Sequence, residues 1–258
     1  MPEPRVRDEH GLRRVGEVDE ILQEHMSSFK ADPKSRLYPS RFQFDYIILS
    51  DLRHAITRHA GELRGRVLDY GCGVKPYRAL FRQAAEYLGA DFPSNPHADM
   101  PLNDGGQLPE NADRFDAVVS FQVLEHVPTV NVYLSECRRV LEKTKGKLLL
   151  TTHGIWDYHP GPRDLYRWTH DGLLHTIQGF GFQTCVVEPV TTGHRSLLQI
   201  ITCRIERRWV APRRLKALVY WVMNSLADCF KEDCEKEHRL VDFPICYLYL
   251  GKYGGVSR

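Results

Sequence analysis

Residues 67–73 read Val-Leu-Asp-Tyr-Gly-Cys-Gly, a short apolar run that ends in a Gly-x-Gly turn. Pro76 follows at a position that suits the first turn of a helix, and we expect this helix to cover residues 76–85. Glycines let the backbone turn tightly and come close to a ligand. The stretch therefore predicts a strand, a ligand-binding turn and a helix, as at the strand ends of open α/β sheets. A tight turn without a ligand is the alternative.

Apolar runs alternate with amphipathic segments on both sides of this turn. Strands that are apolar on both faces and alternate with helices are typical of a parallel sheet covered on both sides. We expect strands at 66–70, 86–91, 116–121, 147–152, 182–189 and 245–253. We expect further helices at 16–30, 42–58, 129–142, 169–178 and 212–230, with caps at Thr129 and Thr169.

The predicted fold class is α/β, with a Rossmann-like, seven-stranded, mostly parallel sheet and helices on both faces. N-terminal helices precede the sheet, and a C-terminal helical insertion precedes the last strand. We divide the 258 residues into an N-terminal helical cap at 1–60 and a sheet domain at 61–258, with the insertion at about 205–240.

Composition describes an ordinary globular chain, with 42% hydrophobic and 26% charged residues. A formal net charge of +2 does not demand a nucleic-acid or membrane partner. The cysteine count is odd, at seven, and no apolar signal segment opens the sequence, so we expect reduced thiols in the cytoplasm. Cys229, Cys234 and His238 can be imagined as metal ligands, but a helical stretch is the preferred interpretation.

The residues around the turn favour a cationic ligand over a dinucleotide. The third glycine of a G-x-G-x-x-G motif is replaced here by Pro76, and Asp69 lies two residues before the first glycine. A carboxylate at that position suits an amine-bearing ligand and repels a pyrophosphate. Asp91, at the end of the next predicted strand, can accept both hydroxyls of a ribose, although a solvated loop aspartate is the alternative.

Five motifs occur in order between about residues 60 and 155. They are VLDYGCG at 67–73, YLGAD at 87–91, LP at 108–109, FDAVVSFQVLEHV at 115–127 and ECRRVLEKTKGKLLLT at 136–151. This series closely resembles the class I S-adenosylmethionine-dependent methyltransferases of the broad type 11 group. The resemblance implies S-adenosylmethionine as the cofactor.

The resemblance also implies which residues contact the cofactor. The turn would hold the methionine part, Asp91 the ribose, Asp104 the adenine amino group, and Gln122 would line the methionine side. Asp99 competes with Asp104. The expected cofactor-binding residues are Asp69, Gly71, Cys72, Gly73, Asp91, Phe92, Asp104 and Gln122. Residues 110–112 depart from the family, which often has an apolar residue after Leu-Pro, and this puts the packing over the adenine in doubt.

Residues 152–168 form a long predicted loop after the fifth strand, where an acceptor would bind. Aromatic plates among hydrogen-bonding charges suit a polar, ring-shaped acceptor such as a sugar. The expected substrate-binding residues are Trp156, Tyr158, Asp164, Tyr166 and Arg167. The stretch HPGPRDLYRWT at 159–169 resembles a segment of methyltransferases that accompany glycan and polysaccharide assembly. This narrower resemblance implies O-methylation of a carbohydrate or a related small molecule.

A hydroxyl acceptor must lose its proton, and histidine is the usual base near neutral pH. His153 and His159 are the candidate catalytic bases, and a structural hydrogen-bonding role is the alternative for each. His153 directly follows the fifth strand and ranks first or equal with His159. His126 is a third candidate, but we interpret Glu125 and His126, at a helix start near the cofactor, as structural or cofactor-shaping. His153, Asp157 and His159 can instead hold a divalent metal such as magnesium that orients sugar hydroxyls.

The C-terminal part is basic at 204–216 and then apolar at 215–230. The apolar run is too short to span a bilayer, although 204–230 can rest on an anionic membrane surface. We prefer a helix that packs on the sheet or in a homodimer interface. Two other functions remain open: an RNA methyltransferase, although we expect no nucleic-acid partner, and a non-catalytic S-adenosylmethionine-binding regulatory protein.

Overall fold

The computed structural model describes residues 5–8, 11–14, 33–159, 162–230 and 243–255. Strands β1 (Arg5–Asp8) and β2 (Gly11–Arg14) form an antiparallel pair. The predicted helix at 16–30 lies outside the described residues.

A seven-stranded sheet forms the centre of the fold, in the order β5-β4-β3-β6-β7-β9-β8. Its strands are β3 (Gly65–Tyr70), β4 (Ala84–Asp91), β5 (Met100–Pro101), β6 (Ala117–Phe121), β7 (Lys147–His153), β8 (Phe182–Val190) and β9 (Cys246–Tyr253). Strands β3 to β7 pair in parallel, and β9 runs antiparallel to both of its neighbours. The predicted fold class is therefore confirmed.

Helices cover both faces of the sheet. They are α1 (Pro33–Leu37), α2 (Tyr46–Ala60), α3 (Val130–Leu141), α4 (His170–Gln178), α5 (Gly193–Arg208) and α6 (Arg213–Cys229). Neighbouring residues of a strand pack in different hydrophobic clusters, one on each face of the sheet. Leu68 belongs to the cluster with α3 and α4, whereas Val67 belongs to the cluster with α2. Helix α2, which was predicted to belong to the N-terminal cap, thus shares a core with the sheet. The proposed boundary at residue 60 stays a prediction.

The helix predicted at 76–85 is wrong. The chain makes only a short 3-10 turn at Arg78–Leu80, and β4 already begins at Ala84. So few residues between the glycine turn and β4 leave too little length for a stable helix. The apolar pattern instead reflects two rings that pack on Phe121, with centroids 5.2 Å away for Tyr77 and 6.0 Å for Phe81.

The C-terminal helical insertion begins earlier than predicted, at Gly193 instead of about 205. The face that α5 buries is polar, which hides its helical periodicity. Arg195 is 1% exposed and pairs with Asp51 at 2.6 Å. The buried amide of Gln199 accepts a hydrogen bond from the Ile48 amide at 2.9 Å and donates one to the Phe44 carbonyl at 2.9 Å.

Three smaller findings complete the fold. The Thr169 hydroxyl caps α4 by accepting a hydrogen bond from the Gly172 amide at 3.1 Å, whereas the Thr129 side chain makes no capping bond to α3. The six cysteines among the described residues are free thiols. Across this described part of the chain, no helix combines the length and apolar character needed to cross a bilayer.

Candidate cofactor and acceptor site

The glycine turn is fastened to the end of β4. The amides of Gly71 and Cys72 donate to the Ala90 carbonyl at 2.9 and 3.1 Å. Gly71 has φ +78°, and a Cβ placed on it would lie 2.7 Å from a Val123 methyl group. Gly73 has φ +49°, and a Cβ placed there would meet nothing within 4 Å. The first glycine therefore permits close packing, while the second borders open space.

Asp91 lies beside this open space, as expected for a ribose-binding carboxylate. Its Oδ2 accepts hydrogen bonds from the Gly73 amide and from Asn95 Nδ2, both at 2.8 Å. Its Oδ1 accepts the Phe92 amide at 2.8 Å, and the Phe92 ring stays 44% exposed. The carboxylate is thus close enough to the turn for one ligand to contact both. Sequence reasoning missed Asn95, because nothing in its local pattern marks it.

Two other residues of the motif support the turn from inside. The Asp69 carboxylate is 2% exposed and accepts a hydrogen bond from the Tyr87 hydroxyl at 2.7 Å. Burial raises the pKa of Asp69 to about 7, so a cationic group nearby would favour its ionised form. The Cys72 thiol packs against Gly89, and burial raises its pKa to about 12. Direct cofactor contacts by Asp69 and Cys72 stay predictions.

Asp99 and Asp104, the two candidates for the adenine contact, have different surroundings. Asp99 accepts a hydrogen bond from the Gly89 amide at 2.7 Å and forms an ion pair with Lys75 at 2.5 Å. Asp104 is exposed, with no partner for its carboxylate within the described residues. Its loop is held to β3, because the Tyr70 hydroxyl donates to the Gly106 carbonyl. Asp99 is thus engaged by protein groups, and the contact of Asp104 with the adenine stays a prediction.

Gln122 follows β6 with φ +58°, which redirects the chain at the sheet edge. Its side-chain Nε2 donates to the Thr151 hydroxyl at 3.0 Å, and its Oε1 accepts from the Cys246 thiol at 3.5 Å. The amide is therefore held beside β7. The segment after it, Leu124–His126, forms a 3-10 turn. This turn lies between the glycine turn and the predicted acceptor loop at 152–168.

His153 is the last residue of β7 and is buried, with 4% exposure. Its Nδ1 lies 3.4 Å from the Cys246 thiol and its Nε2 lies 3.4 Å from Glu125 Oε1. Its ring stacks on Trp156 with centroids 5.3 Å apart. Burial lowers the pKa of His153 well below its ordinary value. Both ring nitrogens therefore face protein atoms.

Glu125 is a fully buried carboxyl group that sequence reasoning took as structural. Its Oε2 accepts a hydrogen bond from the Thr152 hydroxyl at 2.8 Å, whereas Oε1 has no hydrogen-bond partner in the described part of the chain. Burial raises the pKa of Glu125 to about 7. Its backbone carbonyl accepts the amides of Leu165 and Tyr166, both at 3.1 Å, which ties the acceptor loop to this turn.

His126 and His159 complete a cluster of three histidines with His153. The ring centroids of His126 and His159 are 5.7 Å apart, and those of His153 and His159 are 6.0 Å apart. Nδ1 of His126 bonds the Arg163 carbonyl, which leaves Nε2 as an acceptor. Burial lowers the pKa of His126, and it lowers that of His159 to about 4. Both rings are therefore neutral at neutral pH.

Arg167 and Asp164 brace the acceptor loop. They pair through two oxygens, with Arg167 Nη2 2.7 Å from Asp164 Oδ2, and this oxygen also accepts the His159 amide at 2.9 Å. Arg167 further donates to the carbonyls of Asp157 at 2.8 Å and Trp156 at 3.2 Å. The Asp164 side chain is only 7% exposed. The charges thus hold the loop, and their contact with an acceptor stays a prediction.

Two predicted aromatic residues present open surface, since Tyr158 is 61% and Tyr166 is 38% exposed. Their contact with a substrate stays a prediction.

The three residues proposed from sequence as metal ligands do not form a ligand set, although His153 and His159 are near each other. No group of three His, Cys, Asp or Glu side chains within the described ranges could hold a metal ion. The Asp157 carboxylate is instead paired with Arg207 at 3.3 Å, and His153 faces Glu125. Of the second suggested set, Cys234 and His238 lie outside the described residues.

Comparison with known proteins identifies the class. A family model described as a methyltransferase domain matches residues 22–174, more than half of the chain. The chain therefore belongs to this methyltransferase family, and its cofactor is S-adenosylmethionine. The ubiquinone biosynthesis O-methyltransferase of Azorhizobium caulinodans is 31% identical over 125 residues, which cover 40% of this chain and 49% of that protein. The chain thus spans about half the length of this curated relative.

Solved structures show the same fold. The [4+2]-cyclase SpnF aligns with a TM-score of 0.55 and 18% identity, covering 100% of this chain and 99% of that one. Phosphoethanolamine N-methyltransferase 2 of Haemonchus contortus, in complex with S-adenosyl-L-methionine, has a TM-score of 0.50 and 16% identity, with coverages of 91% and 60%. Since a cyclase shares the fold, the reaction must be argued from the site.

The residues present fit S-adenosylmethionine. Gly73 offers backbone that borders open space, and Asp91 provides a carboxylate within 2.8 Å of that backbone. Val123 joins the glycine turn to Glu125 and the histidine cluster along the same sheet edge. The predicted cofactor and acceptor regions are therefore neighbours.

Proposed function

We propose that this S-adenosylmethionine-dependent methyltransferase transfers the methyl group to a hydroxyl of a polar, ring-shaped small molecule, with a sugar or glycan as the favoured acceptor class. The observation that carries the proposal is the cluster of His126, His153 and His159 beside the stacked ring of Trp156. A hydroxyl needs a proton acceptor, and an aromatic plate suits the apolar face of a sugar ring.

The cofactor half of the site rests on three groups. The Gly73 backbone would hold the methionine part, the Asp91 carboxylate the ribose hydroxyls, and Asp104 the adenine amino group. When bound, S-adenosylmethionine supplies a methyl group already activated on a sulfonium sulfur. The protein then has to orient the acceptor oxygen and remove its proton.

We assign proton removal to His159 or His126. Both are only half-buried, and His126 keeps Nε2 as an acceptor because Nδ1 is bonded to a carbonyl. His153 is better suited to orient the cluster, since its two ring nitrogens lie 3.4 Å from Glu125 and from Cys246. The ranking of His153 as first candidate base therefore changes in this proposal, while His159 keeps its place.

The test measures S-adenosylhomocysteine formation with a panel of hydroxyl-bearing sugars and glycans, with and without magnesium. We expect His159→Asn or His126→Asn to lower kcat by about 100-fold or more. His175→Asn, an exposed position on α4, is the matched control and should retain full activity. Full activity of both cluster variants would overturn the assignment of the base.

The same assay separates the other functions. Turnover with RNA but with no sugar would make RNA the acceptor class in place of sugars. Cofactor binding without any acceptor-dependent turnover would indicate a regulatory protein. Free thiols at the six described cysteines support a reducing compartment, and we propose the cytoplasm.

A further inference from the structure

Helix α6 attaches to the protein through a polar face. Asn224 is fully buried, and its Nδ2 donates to the carbonyls of Arg41 and Gln43, both at 2.8 Å. One turn earlier, the buried Tyr220 donates its hydroxyl to Glu206 at 2.6 Å. Hydrogen bonds, the Tyr220 ring and the small Ala227 therefore make much of this attachment, and several leucines of α6 stay exposed.

Those apolar side chains lie on the opposite side, which we call the outer face of α6. Leu215, Leu218, Val222 and Leu226 recur at helical spacing and are 43%, 54%, 51% and 46% exposed. Trp221 adjoins them and is 43% exposed. Within the described part of the chain these side chains stay about half exposed, and a contiguous apolar face of this kind marks an interaction site.

The start of α6 is basic, and Arg214 belongs to its outer face. Arg204 on α5 and Arg213 and Arg214 in the first turn of α6 are exposed. Arg214 precedes Trp221 by seven residues, so both lie on the same side of the helix. Helix α6 contains no carboxylate before Asp228. The outer face thus combines apolar side chains with cations and lacks acidic groups along most of its length.

We propose that the outer face of α6 rests on the surface of an anionic lipid bilayer. A helix lying in the interface would place its leucines and valine at the boundary between headgroups and acyl chains, with the arginines on lipid phosphates. Tryptophan favours this boundary. A second copy of the chain fits less well, because the one carboxylate of α6, Asp228, is already paired with Arg41 and Arg195 and offers a partner's arginines no free opposite charge.

Vesicle sedimentation of the full chain tests the proposal. We expect binding to vesicles of phosphatidylcholine with phosphatidylglycerol, little binding to phosphatidylcholine alone, and release as salt is raised. Arg213→Gln with Arg214→Gln should weaken binding by about 30-fold, at the usual contribution per cation near an anionic surface. Leu218→Ser with Val222→Ser should weaken it by about tenfold or more.

The control is Arg138→Gln with Lys143→Gln, which removes two exposed cations from the end of α3 and its following turn. It should bind like the unaltered protein. Trp221 fluorescence should shift to the blue with anionic vesicles, and Trp221→Phe should abolish this shift.

Equal loss in the control and the α6 variants would overturn the proposal, because net charge alone would then explain binding. Absence of sedimentation with anionic vesicles would overturn it as well. Light scattering measures whether the protein is a dimer. If the protein does not bind vesicles but forms a dimer, and Leu218→Ser with Val222→Ser dissociates that dimer, the outer face would be assigned to a second copy.

Discussion

Alanine at Gly71 should destabilise the fold through both backbone and packing. At φ +78°, an L-residue is strained by about 1–2 kcal/mol. The new Cβ would also lie 2.7 and 2.8 Å from the two methyl groups of Val123, whereas carbon atoms pack best at about 3.5–4.0 Å. Overpacking of this kind costs about 1–3 kcal/mol. We therefore expect Gly71→Ala to lower the free energy of unfolding by about 2–5 kcal/mol.

Alanine at Gly73 should act on the cofactor instead. Its φ of +49° again disfavours an L-residue, by about 1–2 kcal/mol, but no atom lies within 4 Å of the added Cβ. That methyl group would occupy the open space beside the backbone amide of residue 73, which donates a hydrogen bond to Asp91 at 2.8 Å. A ligand pressed against this backbone must shift, at about 1–3 kcal/mol, so affinity should fall by about 10- to 100-fold.

Two assays distinguish these effects. Urea unfolding gives the stability of each variant, and calorimetric titration with S-adenosylhomocysteine gives the affinity. Val123→Ala provides a matched rescue, because it removes the methyl groups that a Cβ at position 71 would meet. The double variant Gly71→Ala with Val123→Ala should be more stable than additivity predicts.

Two results would refute the reasoning. Unaltered affinity of Gly73→Ala would mean that the open space beside the turn is not part of the cofactor site. Unaltered stability of Gly71→Ala, or strict additivity with Val123→Ala, would mean that the contact with Val123 does not require glycine.

Three further predictions concern charge. Arg195→Met should lower the free energy of unfolding by about 3–5 kcal/mol in urea, because it leaves a buried carboxylate unpaired, whereas Arg41→Met at a half-exposed pair should cost less than about 1 kcal/mol. Burial raises the pKa of Glu125 to about 7, so the native state binds an extra proton at this group, and the contribution of Glu125 to stability should fall by up to about 3 kcal/mol as pH rises from about 4.5 to 7. The histidines with lowered pKa values act in the opposite direction, so the difference in unfolding free energy between the unaltered protein and Glu125→Gln, followed across this pH range, is the quantity that tests it. Asp91→Ala and Asp104→Ala should each weaken S-adenosylhomocysteine binding by about tenfold or more in calorimetry, and equal affinity in either variant would remove that carboxylate from the site.

Most of the sheet could be predicted because six of its seven strands carry a local signal, whereas the two-residue edge strand β5 (Met100–Pro101) is too short to show one. Runs such as 116–121 and 147–152 are apolar on both faces. Their observed bounds are Ala117–Phe121 and Lys147–His153, so each differs from the prediction by one residue at one end. The glycine turn was also readable, since Gly71 and Gly73 both adopt the positive φ that favours glycine.

Helix α5 could not be predicted in the same way. A periodic pattern reports burial of apolar side chains, and α5 buries Arg195, Ser196, Gln199 and Thr202 instead. Arg195, Gln199 and Thr202 have partners more than 100 positions away in sequence, as in the pair between Arg195 and Asp51. No local window contains such information, which is why the insertion seemed to start at its basic segment.

The histidine cluster shows a similar limit. Proximity to a strand end ranks His153 first, but access to a proton depends on which ring nitrogens are already engaged, and only the folded chain fixes this. The neutral state of all three rings has a further consequence. Beside a positively charged sulfonium, protonated histidines would oppose cofactor binding, whereas neutral rings do not. In the proposed reaction, methyl transfer would remove that positive charge, and a proton passed from the acceptor hydroxyl to His159 or His126 would leave the net charge of the site unchanged.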